Sequence, residues 1–187
     1  MVSAAALFCI LLAGQPQSDP GLELQLQVLT PSVRRGGEVL MRVMVTNPPH
    51  AKRIWYLLSG FWPLPHTLPV DADLALHVEV RDSGGNLLPP TKAVLLTETP
   101  KTHPSALNAL RPGQFIGEDV ILTSEVFGFT FPSAGRYMIS ATVASEAQRW
   151  FDRWLREGHR PNDVAFDRDS LFVGPIGSGP VTVDIIE

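Results

Sequence analysis

The chain has 187 residues, a formal net charge of -4, 18% charged and 44% apolar residues. The apolar share is ample for a core, and one domain is the expectation at this length. Mild acidity with scattered Lys and Arg excludes a basic stripe of the kind that grips nucleic acid. Seventeen prolines and fifteen glycines punctuate the sequence throughout, as many short strands joined by turns require.

Ala4 to Ala13 is an apolar run of ten, followed by Gly14, Gln15 and Pro16. It is shorter than the roughly 20 residues that span a bilayer. Its length suits the core of a secretory signal peptide, with small residues near a cleavage point. We therefore expect residues 1–18 to be a signal peptide and residues 19–187 a single exported domain, periplasmic or extracellular. No membrane span is expected in that mature chain. Cys9 is the single cysteine and lies inside the run, so neither a disulfide framework nor a Cys-ligated zinc site is available beyond it.

From Leu22 onward, period-2 alternation dominates. Leu22, Leu24, Leu26 and Val28 point one way, and Glu23, Gln25 and Gln27 the other, as in a strand with one dry face. Thr30-Pro31 ends it. Val39, Met41, Val43 and Val45 form a second series whose opposite face is also half apolar, so this strand is expected to be central. Asn47-Pro48-Pro49 stops it. Arg53 to Phe61 suits a third strand, and a Pro-rich loop through Pro63, Pro65 and Pro69 comes next. Leu74, Leu76, Val78 and Val80 alternate with polar residues up to Asp82-Ser83-Gly84-Gly85-Asn86, a hairpin turn. Ala93 to Thr97 is the partner strand expected for it. Lys101 to Pro112 reads as irregular connection, and Glu118 to Ser124 and Val126 to Phe131 as two short strands. After the turn Pro132-Ser133-Ala134-Gly135, Tyr137, Ile139, Ala141 and Val143 share one face. Val181, Val183 and Ile185 close the chain. Eight or nine short strands at this spacing imply a sandwich or barrel.

One segment breaks the rhythm. Ala147, Trp150, Phe151, Trp154 and Leu155 adopt helical spacing, Ser145 and Gln148 fit a capping box, and Gly158 fits a C-terminal cap. The spacing predicts a helix over 146–157, inserted between the last two strands, with its aromatic stripe turned to the core.

The strand series resembles the immunoglobulin-like and fibronectin-III-like sandwiches of secreted bacterial proteins. Gly135-Arg136-Tyr137 looks like a tyrosine corner, and Trp55 is placed like the core tryptophan of that architecture. The resemblance implies that Met41 or Val43 and Ile139 stand where antibody-type domains carry bridging cysteines. It covers about Leu22 to Ile186, with insertions at 61–73 and 145–172. The expected fold class is thus mainly β, an antiparallel β-sandwich with one inserted helix.

Fold does not deliver function. No nucleophile elbow, P-loop, dinucleotide fingerprint or zincin helix is present. Gly174-Pro175-Ile176-Gly177-Ser178-Gly179 precedes a strand instead of a helix and reads as a turn. The five histidines lie in different segments without ligand spacing, and His77 alternates onto a solvent face. Asp163, Asp167 and Asp169 come after the helix segment. Oxygen-rich loops bind calcium through six to eight ligands, but Arg168 divides this cluster, and solvated loop charges are the expectation. No catalytic residue, metal site or cofactor is expected. The candidate ligand-binding residues are Phe61, Trp62 and His66 in the Pro-rich loop, with Asp163, Asp167 and Asp169. Three readings stay open. The first is a non-enzymatic binding or structural module whose partner is another extracytoplasmic protein. The second is an inhibitor or accessory domain of a secreted peptidase, and the third a carbohydrate-active or hydrolytic protein.

Overall fold

A computed structural model of the chain describes residues 21–58, 62–63, 75–91, 107–125, 127–145, 152, 155–157 and 168–187. The fold is mainly β, with several antiparallel sheets in an arrangement consistent with a β-sandwich. In chain order the strands are β1 (Glu23–Val28), β2 (Ser32–Arg34), β3 (Leu40–Thr46), β4 (Trp55–Leu58), β5 (Trp62–Pro63), β6 (Ala75–Arg81), β7 (Leu87–Leu88), β8 (Leu107–Leu110), β9 (Phe115–Ile121), β10 (Gly135–Ala144), β11 (Ile176–Gly177) and β12 (Val181–Ile186).

Among the described residues, one sheet runs β1-β3-β9 and a second runs β2-β12-β10-β6-β5, with β11 against β10 and β7 against β6. β4 and β8 form a separate pair. The central place expected for the second strand is seen in β3, whose register sets Leu24 opposite Val45 on one side and Ile116 opposite Val45 on the other. Alternation sorts the faces: Met41, Val43 and Val45 from one sheet and Leu76, Val80, Ile139, Val143 and Val183 from the other are fully buried in one cluster. Each such side chain contributes about 1.5–3 kcal/mol by leaving water.

The outward faces are held differently. Arg42 and Asp119 are register partners on β3 and β9, and their side chains meet at 2.6 Å and 2.9 Å. Arg136 and Asp184 repeat the pattern on β10 and β12, at 2.8 Å and 3.1 Å. These bidentate cross-strand pairs fix register more than they stabilise, because exposed ion pairs are worth at most about 1 kcal/mol. On the first sheet Gly117 is obligatory: a Cβ there would sit 2.7 Å from the Val43 carbonyl oxygen and 2.9 Å from Met44 Cγ.

At the start of β10 the Tyr137 ring is buried, stacks edge-on against Phe131 at 4.9 Å, and donates its hydroxyl to the Ser133 carbonyl at 2.9 Å. Met41, Val43 and Ile139 are core residues as anticipated.

Trp55 is half-buried and packs against the core from β4, which pairs with β8. Several expectations are corrected. Leu107–Leu110, read as irregular, is a strand because Trp55–Leu58 supplies its ladder. β9 starts three residues earlier than the alternation suggested and ends at Ile121. Residues 127–131 are turn and coil, where Phe129 and Phe131 are buried while Gly128 bonds back to Ser124 and Phe129 to Leu122. The strand paired with β6 after the Asp82 turn is Leu87–Leu88; Ala93 to Thr97 lies outside the described residues. β2 is an addition, made a strand by parallel pairing with β12. Of the predicted helix, Asp152, Leu155 and Arg156 are helical, and Trp150, Phe151 and Trp154 lie outside the described residues.

These contacts lead to two measurable outcomes. Tyr137→Phe keeps the ring packing but loses the corner hydrogen bond, and urea unfolding should register a loss of about 1 kcal/mol. Asp82 is held below the usual carboxylate range chiefly by hydrogen bonds from the Asn86 side chain and backbone. Asp119 and Asp184 are lowered by hydrogen bonds from Arg42 and Arg136. Groups depressed in the folded state stabilise it above their unfolded pKa, near 4, and that contribution is lost as pH falls further. Thermal melts should therefore show a lower Tm at acid pH. Replacing all three by Asn should flatten the dependence, by a small amount because the groups are exposed.

Candidate functional site

Two long connections leave the sheets at one end. β3 finishes at Thr46, opposite Glu23 and Phe115, and residues 47–74 separate it from β6. β10 finishes at Ala144, opposite Ala75, and residues 145–180 separate it from β12. The two exits adjoin. Tyr56 forms a parallel bridge with Leu171 and accepts the Phe172 N–H at 2.9 Å, and a Cβ on Gly174 would stand 3.1 Å from Ala144 Cα. The opposite, Gly36 end carries connections at 29–31, 35–39, 82–86 and 122–134, and the 89–106 connection also leaves from it, since Leu88 pairs with Val80 and the Thr91 N–H bonds the Gly128 carbonyl.

Asn47 organises the Thr46 end. It is fully buried, and its Nδ2 donates to the carbonyls of Arg53 and Leu110, both at 2.8 Å. Its backbone N–H donates to Gln114 and its carbonyl accepts from Gly113. One residue thereby joins the 47–54 loop and β8 through its side chain and the 111–114 turn through its backbone. The Pro48-Pro49 pair explains why a side chain is needed: proline has no N–H, so the backbone just after the strand has fewer donors of its own. Asn47 Oδ1 and Trp55 Nε1 are buried without a hydrogen-bond partner among the described residues.

Arg53 carries the tie outward. Its guanidinium lies 5.2 Å from the Trp55 ring centroid and donates through Nη1 to the Asp169 carbonyl at 3.0 Å. Asp169 sits exposed in a single 3-10 turn, Arg168–Ser170. The predicted residue is thus at this end, and the contact that positions it uses its backbone oxygen. Trp62 belongs to β5, parallel to β6 and opposite Ala75, also at this end. Phe61, His66, Asp163 and Asp167 lie outside the described residues. Among the described residues, no group of three or more His, Cys, Asp or Glu could hold a metal ion.

Phe115 is not among the residues that the sequence singles out, yet at 64% relative exposure it is the most solvent-open of the large apolar side chains described. It comes directly after the 111–114 turn that Asn47 fixes, beside exposed Gln114 and Gly113. The available signal was the phase of alternation: Ile116 and Val120 share the core-facing side with Val45 and Met41, which places Phe115 on the other side. Asn47 and Arg53 gave no such signal, because their roles depend on residues 63 and 116 positions away. The arrangement presents groups on a fixed frame: an exposed aromatic ring, a carbonyl-bound guanidinium and the strand carrying Trp62.

No protein-family model matches the chain. A stretch of 85 residues, 42% of the chain, is 35% identical to the probable 2-succinylbenzoate--CoA ligase of Mycobacterium tuberculosis strain CDC 1551 / Oshkosh. The same values hold for that ligase in strain ATCC 25618 / H37Rv. The match covers 22% of each ligase, so the chain spans about a fifth of their length.

Removing the Asn47 hub tests this construction. Asn47→Ala leaves the buried Leu110 carbonyl without its side-chain donor and should cost about 2–3 kcal/mol in chemical unfolding. Hydrogen exchange should rise at Gly113 and Gln114 and stay unchanged at the Asp82–Asn86 turn.

Proposed function

We propose that the chain is an exported, non-enzymatic binding or structural module. In this reading an immunoglobulin-like sandwich offers the two adjoining long connections at its Thr46 end to another extracytoplasmic protein. The single observation that carries the reading is the tie between the two long connections at the Thr46 end, made by Tyr56 with Leu171 and Phe172 and by Arg53 with Asp169. A two-sheet frame that holds long connections fixed against each other is how sheet scaffolds position recognition segments. Phe115, held exposed by a turn that a buried asparagine fixes, is an aromatic anchor of the kind that dominates interfaces. Immunoglobulin-like topology is supported by the strand order. The first strand pairs into one sheet, its continuation runs parallel to the last strand in the other, and the Tyr137 corner opens β10, the strand beside the last one. Export is supported by the Ala4 to Ala13 run. No ligase activity is carried over from the M. tuberculosis proteins, since the shared stretch is a small part of them.

The test compares the two ends. The secreted chain, whose N-terminal sequence should begin between residues 15 and 19, is immobilised and offered extracytoplasmic proteins of its source. Phe115→Ser and Trp62→Ala should each weaken retention of a captured partner at least tenfold, while Ser83→Ala and Asn86→Ala at the opposite end should not. Loss confined to the Asp82–Asn86 variants would overturn the assignment of the binding end. A turnover abolished by Asp167→Asn or Asp169→Asn would overturn the non-enzymatic reading.

A further inference from the structure

Residues 22–34 form an arm with an unusual place in the fold. As β1 it is outermost in the three-stranded sheet, and as β2 it is outermost in the other sheet, among the described residues. It lies along the seam, contributing Leu22, Leu24 and Val33 to the core with Leu26 and Val28 packed behind them. Because the arm is terminal in both sheets, lifting it breaks no pairing between other strands. The groove left behind, lined by Met41, Val43, Val45 and Ile185, is complementary in shape and register to one sequence, that of the arm itself. Among the described residues, the arm continues into the body through the Arg35–Glu38 turn. That turn is closed by the Gly37 N–H on the Arg34 carbonyl and by Gly36 at φ 82°, a conformation that glycine adopts without strain and leaves as easily.

We propose that this arm is exchangeable: two copies of the chain lend residues 22–34 to each other's seam and form a strand-swapped dimer. Every arm contact is the same in the dimer as in the monomer, so the two differ only in the opened 35–38 segment and in association entropy. A short flexible tether holds its own arm at an effective concentration in the millimolar range. Exchange therefore competes at comparable protein concentration, on a surface, or when the tether is shortened. The occupant is a second copy, because the groove already reads that sequence through Leu24 opposite Val45 and Leu26 opposite Val43.

The experiment uses the full chain with Cys9→Ser. One population carries Gln25→Cys and a second carries Met44→Cys, residues directly opposite on the outer face, where facing strand positions lie within disulfide reach. The two are mixed at about 1 mM, comparable with the arm's effective concentration, then diluted and oxidised. A disulfide-linked heterodimer is expected, with β-type circular dichroism retained. Deletion of Gly36 and Gly37, which prevents the arm from folding back, should double the mass measured by light scattering. Absence of the linked heterodimer after incubation overturns the proposal, whether or not the deletion variant folds.

Discussion

Everything in this molecule rests on side chains of two sheets meeting in one dry layer. Met41, Val43 and Val45 on β3 face Leu76, Val80, Ile139, Val143 and Val183 from the other sheet, and all are sealed from water. A slip of one residue in any of these strands would turn its apolar set outward. The layer thus dictates register, and register in turn dictates which residues stand at which end. Arg42–Asp119 and Arg136–Asp184 lie outside this layer and echo the same register from the solvent side.

From that constraint comes the character of the Thr46 end. Strands of fixed direction must be reconnected somewhere, and here two lengthy reconnections adjoin beyond Thr46 and Ala144. Their backbones need partners that the two large sheets do not supply. Asn47 supplies some of them from a buried position, β4 and β8 supply others to each other, and Leu171–Phe172 closes against Tyr56. Loops that would otherwise move independently become a small secondary framework mounted on the first.

The parts legible in sequence were those in which local pattern and tertiary placement agree. Leu22 to Val28, Val39 to Val45, Leu76 to Val80, Tyr137 to Val143 and Val181 to Ile185 alternate because one face is wet. Where pairing alone makes the strand, the pattern is silent. Leu107-Asn108-Ala109-Leu110 has no β-branched residue and becomes extended by meeting Trp55–Leu58. Ser32–Arg34 sits between a proline and a glycine pair and is held by Asp184–Ile186. Phe127 to Phe131 misled in the other direction, since its apolar residues fill the core from a turn that folds back on Leu122. At the candidate site, Trp62 lies on the strand opposite Ala75 and Asp169 is held through its carbonyl by Arg53. The role of Asn47 was hidden because an asparagine before two prolines looks only like a stop signal.

The tie from Arg53 to Asp169, together with the Tyr56–Leu171 bridge, joins segments more than a hundred positions apart in the chain. Neither segment can drift in sequence without disturbing the other. Anyone wishing to transplant this end onto another scaffold would have to move both stretches as one piece, and the residues from Asn47 to Leu58 would carry the hinge-pin for both.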